Sequence, residues 1–257
     1  MSARVLLRTE QLVRRFGGLL ATDHAELSVL EGEVHALIGP NGAGKTTLIH
    51  QLSGTLAPTS GHIHFDGEDV TGLPIHARVR RGLVRSYQIT SVFPRLPVLD
   101  NLALAVQART GGSRGFWRPA RAERERERYA EAQAVAERVG LGDRSSQLAG
   151  ALSHGQQRQL EVGLALALRP RLLLLDEPMA GMGPEESERM VGLLQGLRGE
   201  VTLLLVEHDM DAVFRLADRI SALVSGRVIS TGTPQEIRQH PDVRRAYLGD
   251  ELEEATP

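Results

Sequence analysis

The stretch Gly39-Pro40-Asn41-Gly42-Ala43-Gly44-Lys45-Thr46 constrains this chain more than any other. Its spacing matches the eight-residue phosphate-binding loop, with Gly39, Gly44, Lys45 and Thr46 at the fixed positions. Such a loop works between a strand and a helix. Its glycines let backbone N–H groups curl around phosphate oxygens, and the helix N-terminus adds favourable partial charge. The apolar run Val34 to Ile38 predicts the strand, and a helix is predicted from the loop to about Leu52. Lys45 is then placed to hold β- and γ-phosphates. Thr46 offers a hydroxyl to Mg²⁺, a cation that takes few protein ligands beside phosphate oxygens and water.

A second motif lies far along the chain. Leu172-Leu-Leu-Leu-Asp176-Glu177-Pro178 reads as a buried strand ending in two acids. Ligand-binding groups in open α/β sheets gather at the carboxyl ends of strands. Asp176 is expected to approach the metal sphere. Glu177, the next residue, points elsewhere and is expected to accept a proton from the water that attacks the γ-phosphate, or to orient that water.

Between these motifs the pattern changes character. Residues 5 to 38 alternate short apolar runs with turn signals at Gly17-Gly18 and Glu31-Gly32, which predicts a small antiparallel region leading into the buried strand. Further strands are predicted at His62 to Phe65, before the turn Asp66-Gly67, and at Leu83 to Tyr87. From about residue 94 to 168 the reading is helical, over Asp100 to Arg109, Arg121 to Val139 and Ser153 to Leu168. Tyr129, Ala132, Ala136 and Val139 follow helical spacing, and Glu123/Arg126 and Glu125/Arg128 are opposite charges three apart. From Arg171 onward strand and helix alternate, as in a parallel sheet covered on both faces. One domain over residues 1–257 is expected, with a C-terminal tail from about 242 whose acidic end, Asp250 to Pro257, frays.

Bulk properties exclude several classes. The 257 residues are 41% apolar, enough for a substantial core without disulfides, and there is no cysteine. With 30 Lys and Arg against 32 Asp and Glu, the net charge of −2 gives no electrostatic reason to expect nucleic acid as a partner. The N-terminus lacks the apolar stretch of a signal peptide, and the longest apolar runs fall far short of the roughly 20 residues that span a bilayer. A cytoplasmic location is expected, with the membrane reached through partners. Arg78, Arg80 and Arg81 read as the one small basic surface cluster. His62 and His64 share a strand face with metal-like spacing, but no further ligand lies nearby, and they read as surface residues.

The segment before the carboxylate pair narrows the class. Leu152-Ser153-His154-Gly155-Gln156-Gln157 resembles the signature motif of ATP-binding cassette (ABC) transporters, a family with a RecA-like core, an N-terminal antiparallel β region and a helical subdomain. The resemblance implies ATP and Mg²⁺ as ligands. It also implies that Ser153, Gly155 and Gln156 of one cassette close on the γ-phosphate held by the other, in a head-to-tail dimer. The chemistry fits, since Ser153 supplies a hydroxyl at a helix N-terminus and Gly155 allows close backbone approach. By the same resemblance Gln88 is the glutamine that reaches the metal or attacking water and couples to membrane subunits, and His208 is the histidine beside the γ-phosphate. Phe16 stacks on adenine, and Thr47 joins Thr46 among the nucleotide-binding positions. Two positions depart from the pattern: His154 stands for a glycine, and Gly183 stands where an aspartate is common.

Within the family, Arg15-Phe16-Gly17-Gly18-Leu19, Glu207-His208-Asp209-Met210 and Ala246-Tyr247-Leu248-Gly249 resemble the LivG-type ATPases of branched-chain amino acid uptake. These act with a second ATPase or a copy of themselves, two membrane permeases and, indirectly, a periplasmic substrate-binding protein. Leu73-Pro74-Ile75-His76-Ala77-Arg78 and the same C-terminal ending are also similar to the lipopolysaccharide-export ATPase, and the Ser-His-Gly-Gln and Ala-Gly-Met runs to urea importers. A soluble cassette ATPase of translation or DNA repair is a weaker reading, because those proteins carry two cassettes or a long coiled coil. A regulator without turnover would lack Glu177 or His208.

Overall fold

The computed structural model describes residues 4–86, 92–110 and 122–247. Val34–Ile38 (β4), Leu172–Asp176 (β8) and Thr202–Val206 (β9) are buried at every position. Short runs with no solvent-facing side are stable inside a sheet that is covered on both sides. With Leu83–Arg85 (β7), Arg219–Val224 (β10) and Arg227–Gly232 (β11) they form a six-stranded sheet in the order β11-β10-β4-β9-β8-β7. Pairing is parallel from β10 to β7, and β11 is antiparallel on the edge. The sequence predicts the β7 strand as far as Tyr87. Its pairing with β8 ends at Arg85, and residues 87–91 lie outside the described residues.

Side chains alternate across a strand, so each central strand feeds two cores. Leu172, Leu174, Leu204 and Val206 enter one, and Leu173, Leu175, Leu203 and Leu205 enter the other. An antiparallel sheet of Val5–Phe16 (β1), Leu19–Ala25 (β2), Ser28–Leu30 (β3), Ser60–Phe65 (β5) and Glu68–Asp69 (β6) closes the first core together with helix Lys45–Ser53 (α1). The predicted His62 strand begins two residues earlier because β1 keeps pairing as far as Val13 opposite Ser60. Helices Val98–Thr110 (α3), Ala122–Arg138 (α4), His154–Ala167 (α5) and Pro184–Gly196 (α6) close the second core, so the predicted helical stretch is α3 to α5. Ala132 and Ala136 of the α4 stripe are buried, the Tyr129 hydroxyl donates to Asp100 at 2.9 Å, and Arg128 pairs with Glu125. Met210–Leu216 (α7), Pro234–Gln239 (α8) and Pro241–Tyr247 (α9) follow β9 and β11. Among the described residues no helix is long and apolar enough to cross a membrane. The acidic tail lies outside the described residues.

One expectation fails. Arg78, on the short helix Ile75–Arg80 (α2), is 1% exposed and belongs to no surface cluster. Its guanidinium donates to the carbonyls of Gln51 (2.8 Å), Leu52 (2.7 Å), Leu73 (3.0 Å) and Thr71 (2.9 Å). The physical reason is the end of α1. Last-turn carbonyls have no partner within their own helix, and the five donors of a guanidinium can satisfy several at once. Burial pushes the Arg78 group down to about 10. Arg78→Met is expected to cost about 2–4 kcal/mol by removing a buried donor from four carbonyls, of which Gln51 O keeps the Gly54 N–H at 3.2 Å, and urea unfolding measures it. Arg78→Lys should recover only part, because an ammonium cannot span four acceptors in one plane.

Candidate active site

The site is built at the carboxyl ends of β4, β8 and β9. After β4 the chain turns into the phosphate loop, which packs so closely that side chains are excluded at two positions. A Cβ at Gly39 would stand 2.1 Å from the Leu223 carbonyl oxygen, and one at Gly44, whose φ is +103°, would stand 2.2 Å from that of Ala21. The loop is further tied down where Gly226 N–H donates to Ala43 at 2.8 Å. Helix α1 begins at Lys45, so the free N–H groups of its first turn face the loop, with Thr46 exposed and Thr47 half-buried beside them. The Lys45 ammonium is buried and donates to Gly39 O at 2.6 Å and Pro40 O at 3.0 Å. Burial holds its pKa below the usual lysine value, opposed by the charges of Glu177 and Asp176. Those two carboxylates therefore lie within electrostatic reach of the loop. Lys45 is also the only lysine in the sequence.

Asp176 ends β8 in a buried position, with one carboxylate oxygen accepting from Arg85 Nη2 at 2.9 Å. Glu177 follows with φ of 50°, in the left-handed region that non-glycine residues seldom adopt. Its N–H donates to Val206 O at 2.9 Å, which holds the turn despite its cost. The turn sends the Glu177 side chain away from Asp176 and across to β9, where its Oε1 lies 2.6 Å from His208 Nε2. A carboxylate in contact with an imidazole beside a buried ammonium can accept a proton and pass it on. Glu207, buried next to His208, accepts from Met179 N–H at 2.8 Å and from His208 N–H at 3.1 Å. It thereby fastens the loop after β8 to the loop after β9, and burial raises its pKa above the usual carboxylate value.

The other predicted residues sit apart from these strand ends. Ser153 caps α5: its hydroxyl accepts from Gln156 N–H, the Gln156 side chain accepts from Ser153 N–H at 3.0 Å, and its Oγ donates to Glu186 on α6 at 2.9 Å. A Cβ at Gly155 would stand 2.5 Å from the Glu186 carboxyl carbon, so a side chain there would push the Glu186 carboxylate aside. His154 Nε2 is 3.2 Å from Ala180 O, and Gly183 is the N-cap of α6 with no side-chain bond. Phe16 ends β1 at the tip of the β1–β2 hairpin and is 45% exposed. Gln88 lies outside the described residues. His62 pairs with Asp69 at 2.9 Å, and among the described residues no group of three or more His, Cys, Asp or Glu is placed to hold a metal. Arg85, Glu186 and Glu207 were missed in the sequence. A charge inside an apolar strand is the signal for Arg85, and the acid preceding His208 is the signal for Glu207.

The donor set suits a triphosphate with Mg²⁺: a tight glycine loop, helix N–H groups, a buried ammonium, one hydroxyl and one carboxylate. Residues 22–180 match the family model described as ABC transporter. The chain belongs to the ABC transporter family. Residues 227–253 of this cassette match a second model, described as branched-chain amino acid ATP-binding cassette transporter. It is 42% identical over 253 residues to the high-affinity branched-chain amino acid transport ATP-binding protein BraF of Pseudomonas aeruginosa, covering 96% of this chain and 99% of that one. Identity to LivG of Escherichia coli, which carries the same description, is 39% over 250 residues (95% and 98% covered). The lipopolysaccharide export system ATP-binding protein LptB of Escherichia coli stands at 33% over 247 residues, with 96% and 98% covered. The cassette also resembles the crystal structure of the ADP conformation of MJ1267, an ATP-binding cassette of an ABC transporter, with a TM-score of 0.82, 29% identity, and 95% and 99% covered. The fold is thus that of an ABC ATPase.

Proposed function

We propose that this ABC ATPase hydrolyses ATP to drive uptake of branched-chain amino acids through two membrane permease subunits, from the cytoplasmic face of the membrane. The observation that carries the substrate class is the C-terminal match at residues 227–253, joined to higher identity with the branched-chain amino acid proteins than with the lipopolysaccharide-export protein. In this reading Lys45 and the loop N–H groups neutralise the β- and γ-phosphates. Thr46 and Asp176, with Gln88, hold Mg²⁺, which supplies further neutralisation of phosphate charge when bound. Glu177 takes the proton of the attacking water, and His208, already in contact with it, keeps the carboxylate aimed and stands beside the γ-phosphate.

Phe16 stacks on the adenine. Ser153, Gly155 and Gln156 face the γ-phosphate of a second cassette, either another copy or a distinct ATPase subunit. Closure then requires the Ser153 hydroxyl to exchange its bond to Glu186 for one to phosphate. An apolar groove of about 320 Å³ between α3, α5 and the α2–β7 segment, with Phe93 at its rim, is the surface offered to a permease. A periplasmic binding protein delivers the substrate from the far side and does not touch the cassette. The test is uptake of labelled leucine, isoleucine and valine by cells deleted for this chain. Uptake is expected to fall to background and to return with the unmodified chain but not with Glu177→Gln. Undiminished uptake of all three would refute the substrate assignment.

A further inference from the structure

We propose that Arg14 is a positioning residue for the nucleotide, backing one face of the Phe16 ring so that the other face receives the adenine. The inference rests on the reading of Phe16 as the adenine platform. The Arg14 guanidinium carbon stands 4.5 Å from the Phe16 ring centroid, while its Nη1 donates to Ala57 O at 2.9 Å. One bond therefore anchors the guanidinium to the segment after α1 while its central carbon lies over the ring, a double role that suits a planar cation. The β1–β2 register shifts on both sides of Arg14, and such bulges re-aim a side chain.

The place is right for a base. Phe16 pairs with Leu19, which is 67% exposed, so two large apolar side chains stand in solvent at one hairpin tip. Ala21, whose carbonyl packs on Gly44, is two residues along β2 from Leu19. At about 3.3 Å per residue, the Phe16–Leu19 pair is set about 7 Å from the phosphate loop along the strand, a span that a ribose can bridge. A cation over one face of a benzene ring is attracted by the ring quadrupole and draws electron density from the opposite face. That opposite face then stacks better on an electron-rich purine. The anchored guanidinium also stops the ring from turning at a tip flanked by Gly17 and Gly18.

The experiment is calorimetric binding of ATP and of inorganic tripolyphosphate to the full chain, comparing the unmodified protein with Arg14→Ala, Arg14→Lys, Phe16→Ala and the Arg14→Ala/Phe16→Ala double variant. Arg14→Ala is expected to weaken ATP about two- to fivefold, the range of an exposed cation–ring contact, and to leave tripolyphosphate unchanged. Arg14→Lys should weaken ATP less than Arg14→Ala. In the Phe16→Ala background, removing Arg14 should change nothing further. Unchanged or tighter ATP binding by Arg14→Ala, with Phe16→Ala weakened, would overturn the role of Arg14 and leave the platform intact. Equal loss for ATP and tripolyphosphate would also overturn it, because the effect would then be one of charge alone. ATP affinity unaltered in Phe16→Ala would remove the platform and this inference with it.

Discussion

Glu177→Gln is expected to lower ATP turnover by about 10²–10⁴, the usual cost of losing a general base, while ATP binding persists. The geometry explains why the two effects separate. Glu177 is held by its backbone, through the bond to Val206 O and the left-handed turn, so an isosteric amide keeps the same place. Lys45 and the loop glycines, which would carry the phosphates, are untouched. What disappears is the charge that faces His208 at 2.6 Å and would take the proton. Phosphate release and equilibrium ATP binding, measured on the same preparation, check both halves. A variant that hydrolyses ATP at the unmodified rate would contradict the assignment of Glu177.

Lys45→Ala should act on binding itself. The ammonium is the one side-chain cation in the loop, and charge-assisted bonds to phosphate are each worth about 1.5–3 kcal/mol. Losing two such bonds weakens ATP on the order of 10²-fold or more. Because Lys45 is the only lysine of the chain, an amine-directed acylating reagent has one side-chain target. Burial lowers its pKa, so reaction is expected below the pH that ordinary lysines need. ATP should protect Lys45 from the reagent. Unchanged ATP affinity in Lys45→Ala, or acylation of Lys45 indifferent to ATP, would contradict the phosphate-loop reading.

Much of this was legible in the sequence because the signals were local. Val34–Ile38, Leu172–Asp176 and Thr202–Val206 are apolar apart from His35, Asp176 and Thr202, as suits a doubly covered sheet, and each leads straight into a segment that carries a candidate site residue. The groups left unread have partners far away in the chain. Arg85 meets Asp176 across 91 residues, and Arg78 reaches α1 carbonyls 26 and 27 residues back, so no spacing announces either. Arg78 looked like surface charge because a run of arginines usually is. Its burial depends on where α1 ends, a matter of tertiary packing. Glu186 is similar: α6 brings it to Ser153 from 33 residues away.

The central claim is that two cassettes close head to tail on ATP, with Ser153 of one completing the site on Lys45 of the other. Size-exclusion chromatography with light scattering on Glu177→Gln, alone and mixed with a second ATPase subunit of its transporter, tests it most directly. The account predicts a dimer with ATP and a monomer with ADP, and loss of the ATP dimer when Ser153→Arg is added. A species that stays monomeric with ATP both alone and in the mixture, or a dimer that survives Ser153→Arg, would contradict it.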